Sequence, residues 1–355
     1  MDLNKKMKSI AVIENKKVDI LESSLPKIYD EEILVKLRGC MLCTFEQRIF
    51  SGVVPMPLPF IPGHEIVGEV AHLGKRVDSK DWEIGQKVVI RLLNSCGECY
   101  YCRRNFPNLC VKSNEGNKGK TEIPGMAGLS EYLAVKPSQL WKVPDSTPDE
   151  VASFAEPLAC VVNGVQRADI TMGDDVVIVG GGIMGQLFIQ LARLQGARVI
   201  LSEPDEERRR LGEKNGADVT INPMEVNPIE WIHENTAYGA EVVIVAVALP
   251  QVAQQAINFL APTGKLIYYS SIHPADDILF NPNDVHKTEK VITGAMSPTI
   301  QSFDVSVNLL KKGLVNPRML LSNKYSIENA QAAFEEALDP KSMRIYIDFT
   351  KQDVN

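Results

Sequence analysis

A chain of 355 residues exceeds what one hydrophobic core ordinarily serves, so two domains are expected. Its 45% hydrophobic and 23% charged residues are those of a soluble globular protein, and 38 Lys and Arg against 45 Asp and Glu give a net charge of −7, which argues against a nucleic-acid partner. The longest apolar run, 242–249, is far short of the ~20 residues a membrane helix needs, and no apolar stretch follows the lysines at the N-terminus; a cytoplasmic chain without membrane partners is expected.

Taken in chain order, the first 150 residues read as β-rich and irregular. Strand-like runs at 9–13, 33–37, 66–70 and 87–90 alternate with turn-forming Gly, Pro, Asn and Asp. Pro55, Pro57, Pro59 and Pro62 crowd one loop and rule out helix there. After 87–90 come Cys96, Cys99, Cys102 and Cys110, spaced C-x2-C-x2-C-x7-C, which brings four thiolates around one point and predicts a surface lobe at 96–110 stapled by tetrahedral zinc. Iron–sulfur ligation or an unmetallated loop are the alternatives on ligand type. Disulfides fit poorly, because the chain has seven cysteines and no secretory signal. A closed four-thiolate site has no open position, so this zinc is structural.

From Asp174 the texture changes. The continuous apolar run 176–179 suits a strand covered on both faces. Leu187, Leu191 and Leu194 then mark a helix ending at Gly196, followed by a strand at 198–201 and a helix opening at Asp205. Further strands at 218–221, 242–246, 265–269 and 291–293 complete a doubly wound parallel sheet. An amphipathic segment, 326–338, and an alternating run around Ile345 and Ile347 read as a return of the last ~55 residues to the first domain.

Between the first of these strands and its helix lies Gly180-Gly181-Gly182-Ile183-Met184-Gly185, a G-x-G-x-x-G turn in the context that makes it a dinucleotide fingerprint. Gly180 allows the turn, Gly182 lets the backbone approach a pyrophosphate, and Gly185 permits close helix–strand packing; the exposed N–H groups, those of Ile183 and Met184 included, face the phosphates. Glu203 ends the next strand, where a carboxylate accepts both ribose hydroxyls of NAD and repels the 2′-phosphate of NADP. Arg208 is a candidate neighbour of the adenine side; the competing reading is a solvated arginine in Arg208-Arg209-Arg210. A glycine turn with no cofactor is the bland alternative for the whole motif.

Three more stretches matter: Gly39 to Glu46, with Cys40 and Cys43; Pro62-Gly63-His64-Glu65; and Ala155-Glu156-Pro157-Leu158-Ala159-Cys160. With the cysteine quartet and the glycine turn, and in this order, they resemble the zinc-dependent medium-chain dehydrogenase/reductases, the alcohol and polyol dehydrogenase family. The resemblance runs from Val35 to Phe349. It implies a GroES-like catalytic domain (1–157 and 299–355) and a Rossmann domain (158–298). It also implies a catalytic zinc held by Cys43, His64 and Glu156, with Glu65 entering or supporting the shell. Thiolate, imidazole and carboxylate leave a fourth position open, as catalysis requires. Cys40 and Cys160 read as small buried residues, and His72, His233, His273 and His286 as surface or packing residues.

One departure stands out. Many relatives carry Ser or Thr two residues after the ligand cysteine, to pass on the alcohol proton; here that position is Phe45, with Thr44 before it and Arg48 where some relatives have a relay histidine. Phe45 carries no proton, which leaves Thr44, Glu65 or water. The resemblance implies hydride transfer between NAD(H) and a secondary alcohol, a polyol or sugar-derived hydroxyl, in an enzyme with two zinc ions per chain that forms a homodimer or homotetramer. The alternatives are a primary alcohol or aldehyde reductase of the same family, and a catalytically silent nucleotide-binding protein that keeps zinc only for structure.

Overall fold

The strand Ile33–Leu42 organises the first of two compact units, Met1–Pro157 with Thr299–Asn355; the second is Leu158–Pro298. The computed structural model describes residues 5–113, 121–272 and 275–351, so His273 lies outside the described residues. In the first unit a seven-stranded sheet runs in the order Leu321–Ser326, Arg344–Asp348, Ile33–Leu42, Glu65–Leu73, Lys87–Ile90, Leu140–Lys142, with Tyr132–Val135 also paired to Ile33–Leu42. An antiparallel hairpin, Lys6–Glu14 and Lys17–Ser24, packs into the same core, where Phe50 meets Phe334 with ring centroids 5.1 Å apart.

The strand expected at 33–37 continues to Leu42, and the reason lies far along the chain. Arg344–Asp348 pairs with it antiparallel, Ile345 opposite Leu42 and Ile347 opposite Cys40. Gly39 interrupts the apolar pattern because the Tyr346 ring occupies its side-chain space: a Cβ there would lie 2.0 Å from Tyr346 Oη. This extension delivers Cys43 to the strand's end, at the start of the helix Thr44–Phe50. The segment 326–338 divides into a short 3-10 turn, Ile327–Asn329, and the helix Ala330–Ala337.

The second unit is a six-stranded parallel sheet in the order Val219–Ile221, Arg198–Ser202, Asp175–Val179, Ala240–Val245, Leu260–Tyr268, Val291–Gly294. Val176, Val177 and Ile178 are fully buried, as the unbroken apolar run requires. The strand order reverses beside Asp175–Val179, and the glycine turn leaves from its carboxyl end, the place where such sheets bind ligands. Among the described residues, no helix is long and apolar enough to cross a membrane.

Candidate metal and nucleotide sites

Cys43 caps the helix Thr44–Phe50. Its Sγ accepts from Phe45 N at 3.2 Å, while Cys43 N donates to Glu46 Oε2 at 3.0 Å, a reciprocal capping box. The other oxygen of that carboxylate, Oε1, accepts from His64 Nδ1 at 2.8 Å and from Gly63 N at 3.1 Å. Glu46 therefore fixes the imidazole and turns Nε2 towards Cys43 Sγ, 3.5 Å away. Beside them Glu65, buried at the start of its strand, accepts from Arg344 Nη2 at 2.6 Å on Oε1. Donor atoms of Cys43, His64 and Glu65 all lie within 4.8 Å of one another.

The electrostatics are those of a crowded, largely buried corner. Burial, and next the Glu46 charge, push the Cys43 thiol up to about 11. Burial works against the charged forms of Glu46 and His64, yet their mutual attraction wins: Glu46 is held at about 2 and His64 well above the usual histidine range. Burial raises Glu65 to about 7 although Arg344 opposes it. A divalent cation reverses the tendencies of Cys43 and His64, because it binds a thiolate and a neutral imidazole. The residues fit such an ion: thiol, imidazole and carboxylate converge, and Glu65 Oε2 is buried with no hydrogen-bond partner among the described residues. Glu156 stands outside this triplet. It is half-buried in the first turn of the helix Ala155–Ala168, near enough for its charge to act on both Glu65 and Arg344.

The four remaining predicted sulfur ligands also converge, Cys96, Cys99, Cys102 and Cys110 having Sγ atoms within 4.8 Å of one another. Backbone N–H groups point at them: Cys96 N to Cys110 Sγ at 3.3 Å, Cys99 N to Cys96 Sγ at 3.3 Å and Lys112 N to Cys110 Sγ at 3.4 Å. Such donors favour thiolate, and those of Cys102 and then Val111 hold Cys99 down at about 6. The set fits a closed tetrahedral metal.

In the second unit, Gly180 adopts φ +103°, a left-handed turn residue, and a Cβ on Gly185 would lie 1.8 Å from Gly180 O. Gly182 caps the helix Ile183–Leu194 and faces open space, while Ile183 and Met184 begin that helix half-buried. Glu203 is buried, with Oε2 accepting from Gly181 N at 2.6 Å and Oε1 from Asp205 N at 2.9 Å. Arg208 sits over the turn: a Cβ on Gly181 would be 3.3 Å from Arg208 Cβ. Its neighbour Arg209 is not a merely solvated arginine, since Nη1 donates to the carbonyls of Glu203 at 2.8 Å and Pro204 at 2.6 Å.

The sequence reading missed three residues here. Gln186 Nε2 staples the carbonyls of Gly181 and Arg208, at 2.9 and 3.0 Å; a polar residue on the apolar face after Gly185 was the available signal. Arg344 had none. Glu46 had one, an acid three residues after Cys43 in capping-box spacing. Because Glu46 supplies three acceptor contacts, Glu46→Gln leaves one oxygen and a donor facing N–H groups. We expect zinc affinity to fall about 10- to 100-fold in chelator competition; an unchanged affinity would deny Glu46 this supporting role.

Thr44 is exposed and Glu65 is 1% exposed, so the two candidate proton carriers stand in opposite surroundings. Phe45 and His64 meet in a T-shaped contact, ring centroids 6.2 Å apart. Cys40 is fully buried in the core, and His233 Nε2 lies 2.9 Å from Asn258 O within the second unit.

A family model described as alcohol dehydrogenase GroES-like domain matches residues 29–145, and one described as zinc-binding dehydrogenase matches residues 184–312. The chain is 30% identical over 332 residues to the L-threonine 3-dehydrogenase of Thermococcus kodakarensis, covering 89% of this chain and 90% of that protein. It is 26% identical over 333 residues to D-arabinitol dehydrogenase 1 of Uromyces fabae, covering 92% and 93%. Among solved structures, a zinc-binding dehydrogenase of Sinorhizobium meliloti 1021 bound to NADP superposes with a TM-score of 0.88 at 25% identity, over 97% of this chain and 99% of that one.

Proposed function

The chain belongs to the zinc-dependent medium-chain dehydrogenase/reductase family and is an oxidoreductase; on that footing we propose that it moves hydride between a secondary alcohol, a polyol or sugar-derived hydroxyl, and NAD, as a cytoplasmic homodimer or homotetramer. The observation that carries this reading is the convergence of Cys43, His64 and Glu65, with a buried Glu65 oxygen that has no hydrogen-bond partner among the described residues. The polyol preference is supported by the Cys-His-Glu donor set.

Cys43, His64 and Glu65 would hold a zinc ion, with Glu156 in reserve as a further carboxylate, and that ion supplies the Lewis acidity that makes an alcohol oxygen more acidic and a carbonyl more electrophilic. The protein does the positioning. Glu46 accepts the Nδ1 proton of His64 and so leaves the Nε2 lone pair for the metal. The Phe45 N–H bonds Cys43 Sγ and tempers its basicity. Arg344 occupies one oxygen of Glu65 and directs the other inward. Thr44, being exposed, is the side chain in reach of water for the alcohol proton; Glu65 is shut away from it. Glu203 and the glycine turn hold the nucleotide, and the Glu203 carboxylate disfavours a 2′-phosphate, which sets this chain's expected choice apart from that of its NADP-bound structural relative.

The test is reduction of NAD followed by absorbance across a panel of polyols, sugar alcohols and primary alcohols, before and after chelation and zinc add-back. Turnover should favour secondary hydroxyls, require NAD over NADP, vanish on chelation and return with zinc. Activity surviving complete zinc removal contradicts the proposal, and equal rates with NADP contradict the role of Glu203.

A further inference from the structure

The side chain at position 45 is anchored beside two of the proposed ligands yet remains open to solvent. The backbone N–H of Phe45 donates to Cys43 Sγ at 3.2 Å, and the phenyl ring meets the His64 imidazole at 6.2 Å between centroids with planes 73° apart. Phe45 is 36% exposed, whereas Cys43, Glu46 and Glu65 around it are buried. A molecule that brings an oxygen from solvent to Cys43 and His64 therefore has the phenyl ring as a neighbour. That ring offers neither donor nor acceptor. A hydroxyl pressed against it loses its water and gains no partner, a net cost. A C–H face or an alkyl or aryl group gains by burial there instead.

We infer that Phe45 is a specificity-determining residue: the substrate is a secondary alcohol whose reacting carbon carries a C–H-faced or alkyl flank on the Phe45 side, as in a ring alcohol or a deoxygenated sugar, rather than an open-chain alditol hydroxylated on both sides. This rests on the function proposed above and narrows its substrate class. The effect is bounded, since an apolar wall rejects an added hydroxyl by only about 100-fold.

Two carboxamides test it, because an amide carbonyl imitates the ketone product without accepting hydride. Cyclohexanecarboxamide and 2,3-dihydroxypropanamide are titrated calorimetrically into the zinc-loaded protein with NADH. The natural chain should bind the cyclohexyl compound about 10- to 100-fold more tightly. Phe45→Leu, which keeps the wall apolar, should retain most of that ratio, and Phe45→Ser should bring the two ligands within a few fold. The same substitution should shift KM more than kcat when cyclohexanol and ribitol are compared. A ratio near one in the natural chain, or one that Phe45→Ser leaves intact, overturns the inference alone. If neither amide binds and no alcohol is oxidised, the proposed function fails and the inference with it.

Discussion

Cys43→Ser is expected to abolish turnover while leaving NADH affinity within a few fold of the natural chain. The substitution keeps the helix cap, since Ser is a good N-cap and its oxygen can accept from Phe45 N as the sulfur does. It removes the soft donor that, with His64 Nε2 at 3.5 Å, defines the metal corner. The nucleotide turn, Gly180 to Gly185 with Glu203, lies in the other unit and is untouched. Fluorescence titration with NADH checks the first half and steady-state rates the second. The pH dependence of metal loading carries the same signature. In the metal-free protein Cys43 sits at about 11 and His64 well above its usual range, so below those values both must shed a proton to bind zinc. Affinity at this site should therefore rise with pH across the neutral range, by about tenfold per unit for each proton released. A flat profile would mean that neither group is a ligand.

The second large effect is on stability. Cys110→Ser removes one of four sulfurs that converge in the lobe, and the only buried one. Its Sγ also takes the N–H groups of Cys96 and Lys112, so the loop loses a cross-link and two acceptor contacts together. Structural zinc contributes on the order of 10 kcal/mol of binding in small metal peptides, and little else in this lobe replaces it: Tyr100, Tyr101, Phe106, Leu109 and Val111 are all exposed. We expect Cys110→Ser to lose one zinc per chain, to be cut by protease within the lobe, and to melt several degrees lower. Any residual folded fraction should keep its Cys43-dependent activity. A variant that melts and resists protease like the natural chain would show the lobe to be held by packing rather than metal.

Most of the candidate site was legible because its motifs are written in short range. Four cysteines in fifteen residues, a glycine turn between a buried strand and a helix, and Gly63-His64-Glu65 each announce themselves by local spacing, and the structure gathers each set. What escaped is the support, which comes from long range or from residues with a duller local explanation. Glu46 reads as a charge in the first turn of a short helix; only the fold shows that the same carboxylate reaches Gly63 and His64. Arg344 meets Glu65 across 279 positions of sequence, through a strand pairing that the alternation of Ile345 and Ile347 suggests without giving its partner. Gly39 breaks the apolar pattern of its strand because its side-chain space belongs to Tyr346, so the extension from 37 to Leu42 was not visible in the sequence. Thr44, Phe45 and Glu65 were visible as residues, but their exposure, which separates their chemistry, was not.

Anomalous diffraction at the zinc edge, from crystals of the zinc-replete protein, tests the central claim most directly. Two peaks per chain are predicted, one among Cys96, Cys99, Cys102 and Cys110, the other bonded to Cys43 Sγ and His64 Nε2 at about 2.0–2.3 Å with a carboxylate oxygen of Glu65 or Glu156 completing the protein's share. A single peak, in the lobe alone, with Cys43 and His64 carrying no metal, would contradict it.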